Sequence, residues 1–267
     1  MAPSQWTKTT LERYIKEGRG QGELSKYQPW KTTYDYSSKG RVTRLKGIKT
    51  GRIHQLQSDN QYRAFLIFEF NSKVTDIRES YPLLNVMKVI DNKDDLRFDK
   101  FVDKETKVPY VLTTNFLLTV KSEEGRESYV ARSVKNSSEL KRKITFEKLE
   151  IERRYWLQKG VDWRIITEKQ LPRQLAKNIE WVRETLLEES EGNLNKEELS
   201  LALFKFLIEN GDYPLKEVLN LFDRSEGIEK GTGLFMFRYL LAKKELRIDM
   251  TKPIDLSARV IDLMLEK

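Results

Sequence analysis

Near the middle of the chain, two β-rich stretches carry residues that could work on a phosphodiester. Tyr110-Val111-Leu112-Thr113-Thr114-Asn115-Phe116-Leu117-Leu118-Thr119-Val120 is the first, and Ser128-Tyr129-Val130-Ala131-Arg132-Ser133-Val134-Lys135 the second. Between them Lys121-Ser122-Glu123-Glu124-Gly125-Arg126 has turn chemistry, so the spacing predicts a hairpin. Alternate residues of a strand share a face, which puts Ser133 with Lys135 and leaves Arg132 and Val134 on the other side. Asn115, near the start of the partner strand, can face both. A strand-end lysine beside an acid on the neighbouring strand is the core of metal-dependent phosphodiester hydrolysis: carboxylates hold Mg²⁺ and the lysine orients or polarises the attacking water. Here the neighbour is an amide. A lysine at a strand end is also what a plain solvated edge looks like.

The elements that must position this pair can be read from the flanking pattern. An amphipathic segment with Leu11, Tyr14 and Ile15 on one face is broken by Glu17-Gly18-Arg19-Gly20-Gln21-Gly22, a flexible basic loop. No Gly-Lys-Ser/Thr follows at the spacing of a phosphate-cradling Walker loop. A helix is predicted from Asp59 to Phe70, with Ser58 as N-cap, Gln61 completing a capping box, and Leu66, Ile67 and Phe70 as its apolar face. Val74-Thr75-Asp76-Ile77 reads as a short strand, and residues 86–109 as charged and irregular. After the hairpin comes a highly charged helix over about Ser138 to Gln158, carrying Ile144, Leu149, Ile151, Tyr155 and Trp156 to a core. A buried-type strand, Val161 to Thr167, follows. Hairpin, helix, strand is the order of an α/β domain. Beyond Thr167 strands nearly vanish: helices are expected at about 173–188, 195–210, 213–224 and 232–244, then a strand at 244–250. Helices followed by a strand-and-turn wing suggest a winged-helix-like module. The boundary is set near residue 170, giving domains at 1–170 and 171–267.

Composition narrows the chemistry. The chain has no cysteine and one histidine, His54, so disulfides, thiolate sites and His-rich zinc centres are excluded and any metal is a hard cation held by oxygen. No apolar run approaches the length of a membrane helix, and the start of the chain lacks the apolar stretch of a secretory signal; a cytosolic setting is expected. The net charge of +8 is uneven: residues 1–170 hold 34 Lys/Arg against 23 Asp/Glu, and residues 171–267 hold 15 against 18. A basic front suits a polyanion, and an acidic rear suits a different partner. Aromatic and basic residues interleave in the front part (Tyr27, Trp30, Lys31, Tyr34, Tyr36, Lys39, Arg41, Arg44), a mixture that fits contact with DNA and is also common in surface loops.

Several stretches together resemble one known family. They are Tyr14 to Gly22, Lys49-Thr50-Gly51-Arg52-Ile53-His54, Asp76-Ile77-Arg78-Glu79 with Tyr81-Pro82-Leu83-Leu84, Thr114-Asn115-Phe116-Leu117, Ser133-Val134-Lys135, Glu147 to Trp156, and Asn178-Ile179-Glu180-Trp181. Over roughly residues 10–185 the chain resembles the TnsA family, the endonuclease subunits of Tn-seven-like heteromeric transposases. The resemblance implies a restriction-endonuclease-like N-terminal domain and a winged-helix-like C-terminal domain. It implies Mg²⁺-dependent hydrolysis of double-stranded DNA at the 5′ ends of a transposon, beside a TnsB-type transposase and under a TnsC-type AAA+ ATPase regulator. It also places the catalytic acids at Gln61 and Asn115, a glutamine at Ser133, and the lysine at Lys135.

Both acid positions thus hold amides, which keep the shape and lose the charge, and Mg²⁺ prefers carboxylates. Gln61, Asn115 and Ser133 are the expected metal-facing residues, Mg²⁺ binding is expected to be weakened, and the chain is expected to bind DNA while cutting poorly. Asp59 is turned by roughly 200° from Gln61 on a helix and is a poor substitute. Glu150 is expected near the site, and His54 is given no role. Arg19, Lys31, Arg41, Arg44, Lys49 and Arg52 are the candidate DNA contacts. Two other functions stay open: a non-catalytic adaptor linking transposon DNA to the ATPase, and a winged-helix transcription regulator.

Overall fold

The computed structural model describes residues 6–35, 41–187 and 195–265. Tyr36 and Lys39 of the aromatic-basic stretch, and the expected last residue of the helix at 173–188, lie outside the described residues. The chain divides into two compact units between Leu171 and Pro172. Among the described residues no helix is long and apolar enough to cross a membrane.

The first unit is built on a four-stranded sheet in the order β3 (Val74–Pro82), β4 (Thr113–Lys121), β5 (Glu127–Val134), β6 (Asp162–Ile166). The first three pair antiparallel through the expected hairpin, and β6 runs parallel to β5. Parallel neighbours need a crossover, and α4 (Lys143–Gln158) supplies it. The short strand expected at 74–77 runs on to Pro82. The helix expected from Ser138 is split at Arg142, with a 3₁₀ turn over Ser137–Lys141 ahead of α4.

α1 (Lys8–Lys16) opens the chain, α2 (Asp59–Phe70) starts and stops where the caps predict and packs on the sheet, and α3 (Val86–Val89) is a single turn after β3. The buried face of α2 is Ala64, Phe65 and Leu66, while Ile67 and Phe70 are only partly covered. Phe68 of α2 meets Phe116 edge-on, 5.4 Å between ring centroids. On the α4 side Leu83, Ile90, Leu112, Leu117, Ala131, Ile151, Tyr155 and Trp156 form one core cluster. Each of the leucines and isoleucines contributes ~1.5–3 kcal/mol by leaving water. Ile144, expected in that core, is 44% exposed, because the segment bends at Arg142 before the helix faces the sheet.

The strand alternation breaks at one level. Phe116 faces α2, yet Thr114, two residues earlier, bonds Glu152 of α4. Residues two apart on a regular strand share a face. Opposite Asn115 in the register stands Ser80, a non-glycine residue with φ of 49°, flanked by the pairs Glu79–Phe116 and Tyr81–Thr114. Left-handed backbone at a serine is rare in a strand and re-aims the side chains around it.

A hairpin of β1 (Thr43–Lys46) and β2 (Ile53–Leu56) is fastened to the sheet by a buried polar network. Glu79 receives two hydrogen bonds from Arg52, at 2.8 and 2.5 Å, one from the Gln55 amide at 3.1 Å, and lies 2.8 Å from His54 Nδ1. Thr50 holds the other ring nitrogen of His54 at 2.7 Å. Burial pushes the Glu79 carboxyl up, but Arg52 and His54 outweigh it and hold it at about 2.

The second unit comprises α5 (Arg173–Arg183), α6 (Lys196–Glu209), α7 (Leu215–Ser225), α8 (Thr232–Lys243) and α9 (Val260–Leu263). Asp223 of α7 accepts from Gly231 N at 2.7 Å and Gly233 N at 2.6 Å, which caps the start of α8. At Gly233 an added Cβ would lie 2.9 Å from the Leu219 carbonyl oxygen, so the helices approach too closely there for any larger residue. The strand expected at 244–250 does not form. Ile248 makes a single bridge to Met264, and Pro214 one to Arg259. Asp249, with Thr251 on its carboxylate, turns the chain before a ladder can extend.

Glu79→Gln should cost about 3 kcal/mol in thermal unfolding, because it leaves the Arg52 charge buried and unpaired. The native Glu79 value lies below its unfolded value, so its contribution is present above the ordinary carboxylate range and is lost as pH falls toward 2. The wild-type and Glu79→Gln stability curves should therefore converge on acidification.

Candidate active site on the central sheet

The end of β5 is where the polar residues gather. Asn115 Oδ1 accepts from the Val134 amide at 2.8 Å and from Lys135 Nζ at 3.4 Å. The pairing expected from strand parity is thus a direct contact. Ser133 turns elsewhere: its hydroxyl donates to Glu152 Oε2 and accepts from Trp163 Nε1 at 3.1 Å. Glu152, fully buried on α4, also receives the Thr114 hydroxyl at 3.1 Å and lies 3.4 Å from Lys148 Nζ through Oε1. Trp156 Nε1 donates to Thr114 at 2.7 Å and fixes that hydroxyl in turn.

Gln61 sits in the first turn of α2, buried. Its amide N–H bonds Ser58 Oγ at 3.2 Å, but its side chain reaches past the cap, with Oε1 accepting from Gln57 N at 3.0 Å. The reciprocal capping box is therefore only half made. The neighbouring Asn60 donates to Asn136 at 2.6 Å, which docks the start of α2 one residue beyond Lys135. Gln57 also donates to Ser80 Oγ at 3.1 Å, and Trp30 N donates to Ser80 O at 3.2 Å. The irregular residue opposite Asn115 therefore anchors both the Gln61 side chain, through Gln57, and the segment that carries Lys31.

The candidate DNA contacts separate into groups. Arg19 is spent on Glu17, Asp35 and the Trp30 carbonyl, all within 3.2 Å, with its guanidinium over the Tyr14 ring. Arg52 is locked on Glu79, and Lys49 donates to the Asn71 and Val74 carbonyls, closing the end of α2. These three are engaged within the fold. With Arg19 tied down and Gly20 packed against Pro82, the segment 17–22 is a fitted connection. Arg41 and Arg44 are exposed, Arg44 bonding and stacking on Tyr34. Lys31 is different again: partly buried, it sits within electrostatic reach of Lys148, Lys135 and Glu152.

Burial, then the Lys148 ammonium, lowers Lys135 to about 8 against the opposing pull of Glu152 and Glu139. Lys31 is lowered to about 8 by burial and by Lys148 and Lys135. Glu150, expected here, faces away and pairs with Arg153 at 2.7 Å and Arg154 at 2.8 Å. The acid that does reach the site is Glu152, two residues on. Its signal in the sequence is that Leu149, Glu152 and Trp156 share one helical stripe, so a glutamate stands on an apolar face.

Mg²⁺ wants carboxylate and water oxygens in near-octahedral geometry. The donors here are two amide oxygens held by backbone N–H groups, a serine hydroxyl pledged to Glu152, and Glu152 itself, bonded to two hydroxyls and flanked by Lys148. Among the described residues no three of His, Cys, Asp and Glu converge as a metal site would need. The residues present do not fit the cation.

Lys148→Met should raise the Lys135 value above about 8, and Glu152→Gln should lower it, since the first removes a like charge and the second an opposite one. Lysine side-chain NMR titration of the two variants reads both directions.

The similarity found in known proteins follows the two units. A TnsA-like endonuclease N-terminal domain matches residues 71–168, and a TnsA endonuclease C-terminal domain matches residues 170–250. The transposon Tn7 transposition protein TnsA of Escherichia coli is 36% identical over 257 residues, covering 94% of this chain and 89% of that protein. On these matches the chain belongs to the TnsA family of transposition endonuclease subunits.

Proposed function

We propose that this chain occupies the place of the DNA-end-cutting subunit in a heteromeric transposase and, as written, holds transposon ends without hydrolysing them. It would act at the 5′ ends in the cytosol, next to a TnsB-type transposase that handles the 3′ ends, with a TnsC-type ATPase controlling both. The winged-helix-like second unit, with 15 basic against 18 acidic residues over 171–267, suits a protein partner better than a polyanion.

The observation that carries the reading is Asn115. Its side chain lies against Lys135 and the β5 backbone, where a carboxylate would have brought the charge that a metal-assisted reaction needs. Gln61 repeats the substitution on α2. An amide at each place preserves packing and hydrogen bonding but removes about two negative charges, and among the described residues no other carboxylate takes their part. Glu152 cannot do so, since both of its oxygens are turned to Thr114, Ser133 and Lys148. Lys135 remains in position to contact a phosphate oxygen, so binding survives the loss. Arg41 and Arg44, exposed on the approach to β1, suit contacts to the DNA backbone.

The Gln61→Glu, Asn115→Asp double variant tests this. With a TnsB-type transposase and Mg²⁺ present, it should nick transposon 5′ ends at least about a hundredfold faster than the chain as written, the scale that placed catalytic groups contribute. Equal cutting by both chains would remove Gln61 and Asn115 from the active site. Silence from both, with duplex binding intact, would make the chain an adaptor between DNA and the ATPase.

A further inference from the structure

At the junction of β4, β5 and α4 the Lys148 ammonium touches the buried Glu152 carboxylate, and Lys135 and Lys31 lie within its electrostatic reach. Lys148 Nζ donates to the Thr113 carbonyl at 3.0 Å and lies 3.4 Å from Glu152 Oε1, which leaves part of its three-donor capacity unused. Lys135 Nζ has one neutral partner, Asn115 Oδ1, at a long 3.4 Å. Lys31 has no hydrogen-bond or ion-pair partner among the described residues. Like charges in partly buried surroundings repel strongly, and proteins seldom gather them without an anion to compensate.

The other acids that reach these lysines are committed. Asp35 is bonded to Arg19 at 2.8 Å and to the Thr32 amide at 2.7 Å. Glu139 accepts from the Asn136 amide at 3.0 Å in a capping box. Glu152 is left as the internal counter-charge, and its Oε1 lacks any hydrogen bond. Three cations against one carboxylate leave two positive charges over, more than enough to offset one DNA phosphate.

Of the three, Lys31 opens on a cleft. The cleft, of about 700 Å³, is lined by Trp30, Tyr14 and Tyr110 and by charges of both signs, Lys100 and Lys104 with Asp35, Asp103 and Glu105. The Trp30–Ser80 hydrogen bond fixes the residue before Lys31 to the strand opposite Asn115, so the clustering is built into the backbone.

We infer that Lys31, Lys135 and Lys148 form a phosphate-binding pocket that works without a divalent cation, the ammonium groups supplying the positive charge. The inference rests on the proposed function in taking the natural ligand to be a DNA phosphodiester. Compact lysine ammoniums suit such a role as point charges on phosphate oxygens. The pocket binds and positions, and it performs no bond-breaking step.

Pulsed acetylation of the full chain near pH 8 in EDTA, read lysine by lysine by mass spectrometry, tests it with two probes, inorganic pyrophosphate and duplex DNA. At ten times the dissociation constant, mass action should slow acetylation of Lys31, Lys135 and Lys148 together by about tenfold, and adding Mg²⁺ should not deepen the protection. Lys31→Ala, at a partly exposed position that the core does not need, should weaken protection of Lys135. Protection that requires Mg²⁺, or none by pyrophosphate, would overturn the pocket. Protection by pyrophosphate but not by duplex would support the pocket and count against the DNA-end reading on its own.

Discussion

A carboxylate that water cannot reach must find its hydrogen bonds inside the protein, and Glu152 finds them on two different strands. Thr114 of β4 and Ser133 of β5 both donate to it, Trp156 steadies Thr114, and Trp163 of β6 reaches Ser133. One α4 side chain therefore sets the rotation of the helix over the sheet at the level where Asn115 and Lys135 meet. Burying a charge without such partners costs several kcal/mol, so the geometry has little freedom to drift. Everything at the site is placed relative to this point: Lys148 one helical turn before it, Lys135 two residues beyond Ser133, and Asn115 next to Thr114.

The second constraint is the irregular level at Ser80. Its left-handed backbone stands opposite Asn115, and the strand alternation changes there, Phe116 meeting α2 while Thr114 meets α4. Through Gln57 and Trp30 the same residue holds the Gln61 side chain and the segment bearing Lys31. The two amide positions and the third lysine thus share one anchor on β3. The Glu79–Arg52–His54 network lies immediately before it and fastens the β1–β2 hairpin to the same strand.

Much of this was legible in the sequence where the determining forces are local. Ser58 and the apolar residues after it mark α2 to the residue, the Lys121–Arg126 turn marks the hairpin, and strand parity alone puts Asn115 against Lys135. What escaped depends on tertiary context. Charge counting cannot say that Arg19, Lys49 and Arg52 are consumed by acids and carbonyls of the fold while Arg41 and Arg44 are not. Glu150 and Glu152 differ by two residues on one helix, and only the helix rotation decides which faces the strands. The strand expected at 244–250 has β-type residues, yet it lacks a partner long enough to make more than one bridge. The family resemblance pointed to Gln61 and Asn115, while only the structure sets Lys135 against Asn115 and Lys148 against Glu152.

On the proposed reading, the site with amides at 61 and 115 and lysines near Glu152 takes a phosphate rather than a divalent cation. Direct Mn²⁺ binding to the isolated chain, followed by electron paramagnetic resonance, tests it without any catalytic readout. No saturable site is expected in the chain as written, and one site in the Gln61→Glu, Asn115→Asp variant. A single tight Mn²⁺ site in the unaltered chain, lost when Asn115 is replaced by Ala, would contradict it.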